Sequence, residues 1–359
     1  MKKNISKISL ALACIFLAFN ASAQRPIWVV GHACNSEQCL IDALADGANG
    51  VEIDINSDPA HCRTDWSINH DSGYLSSTVR DSRNKSEGRE GTKRKYVSLE
   101  EYLNFADMDK IAFLWLDIKT PEGENGIRLV EHIHDILNKR YHVYDEKGNF
   151  QHNRVPFSIF YNFYHQDQLT INFDGLPAYY WYNKNLWENE ALGLGREGST
   201  NYKYSTAELK DLRNNIFDRM LRERHMMTNG YGWPYGPPFS WRSNISESLI
   251  QARKWRDSGE YCMRTGTWTM ERGWHGVQMT IAEDISYHHS WQSECDVILI
   301  ECRNEFFPAQ AGLPGFNCTS LKDFVDCFLK PNGSWSSYNQ GRIRLARPLT
   351  DKYPDRCFR

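Results

Sequence analysis

Arg25-Pro26-Ile27-Trp28-Val29-Val30-Gly31-His32 opens the stretch that decides the fold. Ile27 to Val30 is a short apolar run that stops at Gly31-His32, as a strand buried on both faces does. Cys39, Leu40, Ala43 and Leu44 follow at helix spacing, and Gly47 stands where a helix closes. Gly50-Val51-Glu52-Ile53-Asp54-Ile55 comes next, with apolar and acidic residues in alternation. A strand there places Glu52 and Asp54 on one face.

The same rhythm continues outward. Ser98-Leu99-Glu100-Glu101 reads as a capping box opening a helix through Phe105. Ile111 to Ile118 reads as a third strand, ending around Asp117 and Lys119. Glu131 to Tyr141 reads as a helix and Val155 to Tyr161 as a fourth strand. Helices are expected near Ala207 to Arg222 and over Ile245 to Arg256. Further strands are expected near His225 to Thr228, Thr265 to Thr269 and Cys295 to Ile300. Repeated strand–helix units of this length predict a parallel α/β architecture, and the total length suits a (β/α)8 TIM barrel over residues 24–301. Two stretches read as irregular inserted loops: Asp81 to Lys95, charged and glycine-containing, and Asp174 to Tyr204, rich in aromatics. Residues 302–359 read as a C-terminal extension packed on the barrel.

The first residues read as an address. Lys2, Lys3 and Lys7 precede an apolar stretch from Ile8 to Phe19, too short to span a bilayer, and Ala21-Ser22-Ala23 follows. This predicts a signal peptide over residues 1–23 and a secreted protein. A lipoprotein site at Cys14 is the rival reading, and the better peptidase site at Ala23 disfavours it. No later segment is long and apolar enough to cross a membrane, and the mean hydropathy is −0.61. A net charge of −3 gives no sign of a nucleic-acid partner, and the chain is expected to be a monomer. With Cys14 in the leader, the remaining cysteines are odd in number, so at least one thiol lacks an intramolecular disulfide. Export permits disulfides, and a local Cys318–Cys327 bond is expected. No Cys/His spacing suggests zinc.

The chemistry-bearing residues come in order near strand ends: His32, Glu52, Asp54, His70, Asp117 and Lys119. In a TIM barrel the carboxyl ends of the strands converge on one face, so such residues meet. Glu52, Asp54 and Asp117 form a hard oxygen set suited to Mg²⁺, with Ca²⁺ as the other option. His32 and His70 suit acid and base roles, and Lys119 suits a phosphate oxygen. Each alone has an ordinary reading as a structural histidine, a half-exposed strand face or a surface ion pair. The ordered set is what points to cleavage of a phosphodiester.

The opening Arg25 to His32, with Asn35, Ile41-Asp42, Gly47-Ala48-Asn49 and Glu52-x-Asp54, resembles the sphingomyelinase D/phospholipase D toxins of spider venoms and some bacteria. Those enzymes are TIM barrels related to glycerophosphodiester phosphodiesterases. The resemblance implies catalytic roles for His32 and His70, Mg²⁺ ligation by Glu52, Asp54 and Asp117, and substrate phosphate binding by Lys119. It also implies that Trp268, in Trp268-Thr269, lines the head-group pocket, where a ring attracts a choline cation by about 0.5–2 kcal/mol. A core ring is the other reading of Trp268. The resemblance implies release of choline from sphingomyelin or lysophospholipid at a phospholipid membrane surface, with a cyclic phosphate as one product form. The chain departs from the toxins after His70, where Asp71-Ser72-Gly73 carries no cysteine. His70-Asp71 and Ser98 to Glu101 look more like the glycerophosphodiesterases. A glycerophosphodiester phosphodiesterase and a non-catalytic membrane-binding barrel are therefore the alternatives.

Overall fold

The computed structural model describes residues 25–32, 34–35, 37–57, 66–68, 97–118, 124–153, 155–163, 190–194, 225–230, 254, 258, 263–270, 295–300, 321–322, 325–330 and 343–348. Its strands run β1 (Arg25–Gly31), β2 (Gly50–Ser57), β3 (Trp66–Ile68), β4 (Val97–Ser98), β5 (Phe113–Ile118), β6 (His142–Tyr144) and β7 (Phe150–Asn153). They continue as β8 (Ser158–Phe163), β9 (Glu190–Leu194), β10 (His225–Gly230), β11 (Met263–Met270), β12 (Val297–Ile300) and β13 (Ile343–Leu345). The longer described helices are α1 (Glu37–Ala45), α2 (Leu99–Leu103) and α3 (Glu124–Tyr141).

Eight of these strands form a closed ring in chain order. β1 pairs with β2, β2 with β5, β5 with β8 and β8 with β9, all parallel. β9 pairs with β10, β10 with β11, β11 with β12, and β12 returns to β1, again all parallel. This is the eight-stranded parallel barrel that the strand–helix rhythm predicts. The β3–β4 ribbon extends from β2 in antiparallel pairing.

Strand alternation divides the core in two. Trp28, Val30, Phe113, Trp115, Phe160 and Val297 pack together with no helical residue among them, so they fill the ring's interior. Trp115 and Phe160 meet edge to face at 4.6 Å between centroids. The intervening Val29, Ile53, Leu114 and Ile159 pack instead with Leu40 and Ala43 of α1 and Ile133 and Leu137 of α3. The interior tolerates no side chain at position 50. A Cβ on Gly50 would stand 2.8 Å from Phe113 Cβ and 2.9 Å from its carbonyl oxygen.

An added strand flanks the ring where its pairing is shortest. β1 pairs with β2 only at Val30 and Gly31, while its first residues, Arg25 to Ile27, pair with β13. Asn49, buried where these pairings diverge, fills the gap. Its Oδ1 accepts from Val29 N–H at 2.7 Å, and its Nδ2 donates to the carbonyls of Ala346 (2.8 Å) and Ile27 (3.2 Å). The chain near Val325 also contacts the first βα unit, since Val325 packs on Gly47, whose φ of +98° ends α1.

The structure corrects several sequence expectations. The stretch Asp174 to Tyr204 is not wholly irregular, because β9 lies within it and completes the barrel. Glu-Ala-Leu-Gly-Leu carries no β-branched residue and one buried acid, so it lacks a strand signature. Burial of Glu190 is made tolerable by Tyr161, whose hydroxyl donates at 2.6 Å, and by His134 Nε2 at 2.8 Å. The helix expected to open at the capping box is only five residues long, and Ser98 belongs to β4. β8 runs two residues past Tyr161, and α3 begins at Glu124 rather than Glu131. Residues 1–23, the helix expected at Ala207 to Arg222, most of that at Ile245 to Arg256 and the Cys318–Cys327 pairing fall outside the described residues.

Replacing Asn49 by the isosteric leucine unpairs the Val29 N–H and the Ala346 carbonyl. Two buried backbone groups at about 1–3 kcal/mol each predict a loss of about 2–6 kcal/mol, read as a lower urea midpoint at unchanged m. An unchanged midpoint would show that Asn49 does not hold the closure.

Candidate active site

The barrel register brings the acidic residues together. Across β2, β5 and β8, Asp54 stands level with Asp117, and Asp117 with Asn162. One step inward, Glu52 is level with Trp115, and Trp115 with Phe160. The polar row therefore lies above an aromatic floor, at the carboxyl ends of adjacent strands. Glu52, Asp54 and Asp117 are all buried, at 1%, 1% and 7% exposure. Each offers a carboxylate oxygen, and these atoms lie within 4.8 Å of one another.

His32 is held at the same end. Gly31 is level with Val51, so His32 begins the turn at the level of Glu52. The turn is pinned from several sides. His32 N–H donates to Ile300 O on β12 at 2.9 Å, and Cys34 N–H donates to Glu52 O on β2 at 2.8 Å. Tyr102 of α2 donates its hydroxyl to Cys34 O at 2.7 Å. The Cys34 thiol contacts the Cys39 carbonyl of α1 at 3.8 Å. Asn35 then engages Asp54 twice: its Nδ2 donates to Asp54 Oδ2 at 2.7 Å, and its Oδ1 accepts from Asp54 N–H at 2.9 Å.

Electrostatics explains what this arrangement suits. Two carboxylate charges 4.8 Å apart repel by about 3–4 kcal/mol at an effective dielectric of about 20, and three such pairs exist here. A divalent cation turns that repulsion into coordination. Three hard, buried oxygen donors fit such an ion, with water filling the remaining positions.

Of the residues singled out in the sequence, Glu52, Asp54 and Asp117 meet, and His32 lies at the same barrel end. His70 and Lys119 fall outside the described residues. Trp268 is described in its backbone only, in β11 level with Gly230 of β10. Sequence reasoning missed Asn162, which donates its Nδ2 to Asp117 Oδ1 at 3.2 Å. Its signal was its place two residues after Phe160 on the inward face, hidden because the strand was read as ending at Tyr161. It also left Asn35 without a role at the site.

A parallel barrel with a buried carboxylate cluster at its strand carboxyl ends has the build of a barrel enzyme. Comparison with known proteins agrees. The sequence profile of the Sphingomyelinase D/Phospholipase D family matches residues 22–284, and the chain belongs to that family. The resemblance read from Arg25 to Asp54 is thus borne out. A sphingomyelinase D of Aspergillus flavus is 29% identical over 117 residues, 32% of this chain and 34% of that protein. One of Ajellomyces capsulatus is 33% identical over 105 residues, 29% of this chain and 26% of that protein. The matched stretches thus span about a third or less of these curated relatives. Among solved structures, a glycerophosphodiester phosphodiesterase of Parabacteroides distasonis is similar over 80% of this chain and 95% of its own, at 15% identity and a TM-score of 0.41.

Asp117→Asn removes two of the three repulsive pairs. The chelator-treated variant should be more stable than the chelator-treated parent by about 1 kcal/mol or more, and added Mg²⁺ should no longer raise its melting temperature. Equal metal-free stabilities, with a full Mg²⁺ response in the variant, would separate the cluster from cation binding.

Proposed function

We propose that this chain is a divalent-cation-dependent phosphodiesterase that releases choline from sphingomyelin or lysophospholipids by phospholipase D-type cleavage. The observation that carries the reading is the meeting of Glu52, Asp54 and Asp117 at the barrel end that also holds His32, in a chain of this family. Glu52, Asp54 and Asp117 would hold the cation, Mg²⁺ in this reading. When bound, it would neutralise the phosphate and stabilise the charge that builds at phosphorus.

The chain's own residues supply the remainder. His32 takes a proton from the attacking hydroxyl, or attacks phosphorus itself as the bond to the choline oxygen breaks and water then frees the phosphate, and the backbone hydrogen bond from its N–H to Ile300 holds it against β12. In the first route, a hydroxyl of the lipid forms a P–O bond as the bond to the choline oxygen breaks. A cyclic phosphate remains, and choline leaves with a proton from His70. Lys119 binds a phosphate oxygen. Trp268 receives the quaternary ammonium by cation–π attraction. Secretion would bring the enzyme to a phospholipid membrane surface, where Tyr179, Tyr180, Trp181, Tyr182 and Trp187 supply rings suited to the head-group layer.

The test is product analysis by mass spectrometry on mixed liposomes beside soluble glycerophosphocholine. Choline release from vesicles, abolished by EDTA and restored by Mg²⁺, is the expected result. Comparable rates on glycerophosphocholine without vesicle binding would instead identify a glycerophosphodiester phosphodiesterase. No release from any substrate would leave a non-catalytic barrel. His32→Asn should lower turnover by about 10²-fold or more with the fold retained, and near-normal turnover would remove His32 from the chemistry.

A further inference from the structure

Two asparagines outside the acidic cluster bear directly on its carboxylates. Asn162 is 3% exposed and donates to Asp117 Oδ1 at 3.2 Å. Asn35, half-buried in the turn after β1, donates to Asp54 Oδ2 at 2.7 Å and accepts from Asp54 N–H at 2.9 Å. The two amides come from different elements and flank the level row formed by Asp54 and Asp117. Each engages one oxygen of its carboxylate.

We infer that Asn35 and Asn162 are positioning residues that restrict Asp54 and Asp117 to one ligand oxygen each, and so select a small octahedral cation over Ca²⁺. The inference rests on the reading that the cluster binds a divalent cation. Its logic is chemical. Mg²⁺ demands near-octahedral geometry, keeps several waters and is held by few carboxylate oxygens. Ca²⁺ takes six to eight ligands and readily uses both oxygens of a carboxylate. An amide hydrogen bond on one oxygen competes with two-oxygen ligation and leaves one-oxygen ligation intact. Partners of this kind that orient ligands typically affect metal affinity by about 10–100-fold.

The experiment is isothermal titration of the purified full chain, first freed of metal, with MgCl₂ and separately with CaCl₂. The parent is compared with Asn162→Leu, which is isosteric and donates nothing. Asn35→Leu also removes the acceptor for Asp54 N–H and risks the fold. Asn35→Asp therefore accompanies it, since it keeps that acceptor and replaces the donor with a carboxylate oxygen; the added charge acts on both ions, so the ratio of the two affinities is what is read. The parent should prefer Mg²⁺ over Ca²⁺. Asn162→Leu should lose Mg²⁺ affinity by about 10–100-fold and Ca²⁺ affinity by a smaller factor, so the preference contracts. Asn35→Asp should shift the preference toward Ca²⁺ as well. Unchanged Mg²⁺ affinity in both variants overturns the inference and leaves the cation site standing. Equal loss of both ions also overturns it, because it shows a merely structural role. Binding of neither ion by the parent overturns this inference and the cation-dependent reading together.

Discussion

The short pairing of β1 with β2 is the contact on which the rest of the molecule depends. Every other strand pair of the ring would exist in an open, curled sheet. With it the ring is complete, and all eight carboxyl ends face the same way. It rests on two residue pairs, Val30–Gly50 and Gly31–Val51. The absent side chain at Gly50 lets Phe113 pack inside, and Asn49 satisfies the backbone groups that the divergence of β2 from β1 would otherwise leave unpaired. Parallel closure is therefore obtained by a side-chain amide acting as a piece of sheet.

The acidic site is built on the most regular part of this frame. Asp54 and Asp117 come from neighbouring strands in exact register, and Glu52 lies two residues below Asp54 on the same face. The spacing of their backbone positions is set by the sheet. The aromatic floor of Trp115 and Phe160 keeps the carboxylates out of the lower barrel, and the pinned turn at His32 to Asn35 closes one side. Stability is spent locally on a rigid carboxylate cluster that could hold a cation.

Much of this was legible in the sequence, for definable reasons. β1, α1 and β2 were readable because their periods are clean: a branched apolar run, helix-spaced apolar residues closed by Gly47, and an alternation that aims Glu52 and Asp54 together. The barrel followed from repetition of that unit. What escaped depends on tertiary context. β9 is a strand because β8 and β10 pair with it and because Tyr161 and His134 shelter Glu190, none of which its five residues announce. β13 is too short to signal itself and exists by pairing with β1. Asn162 was hidden by a strand boundary misplaced by two residues. The partners of Asp54 and Asp117 could be seen only once the register was fixed.

The seam at β1 has a consequence for biosynthesis. Asn49 and Ala346 meet across 297 residues of chain, and the strand that lines the lower edge of β1 lies in that distal segment. A ribosome adding about 5–20 residues per second has made nearly all of the barrel well before that edge can be covered. Until then the nascent protein carries an open parallel edge on its first strand. Products of early termination keep that edge, a ready template for pairing with other chains.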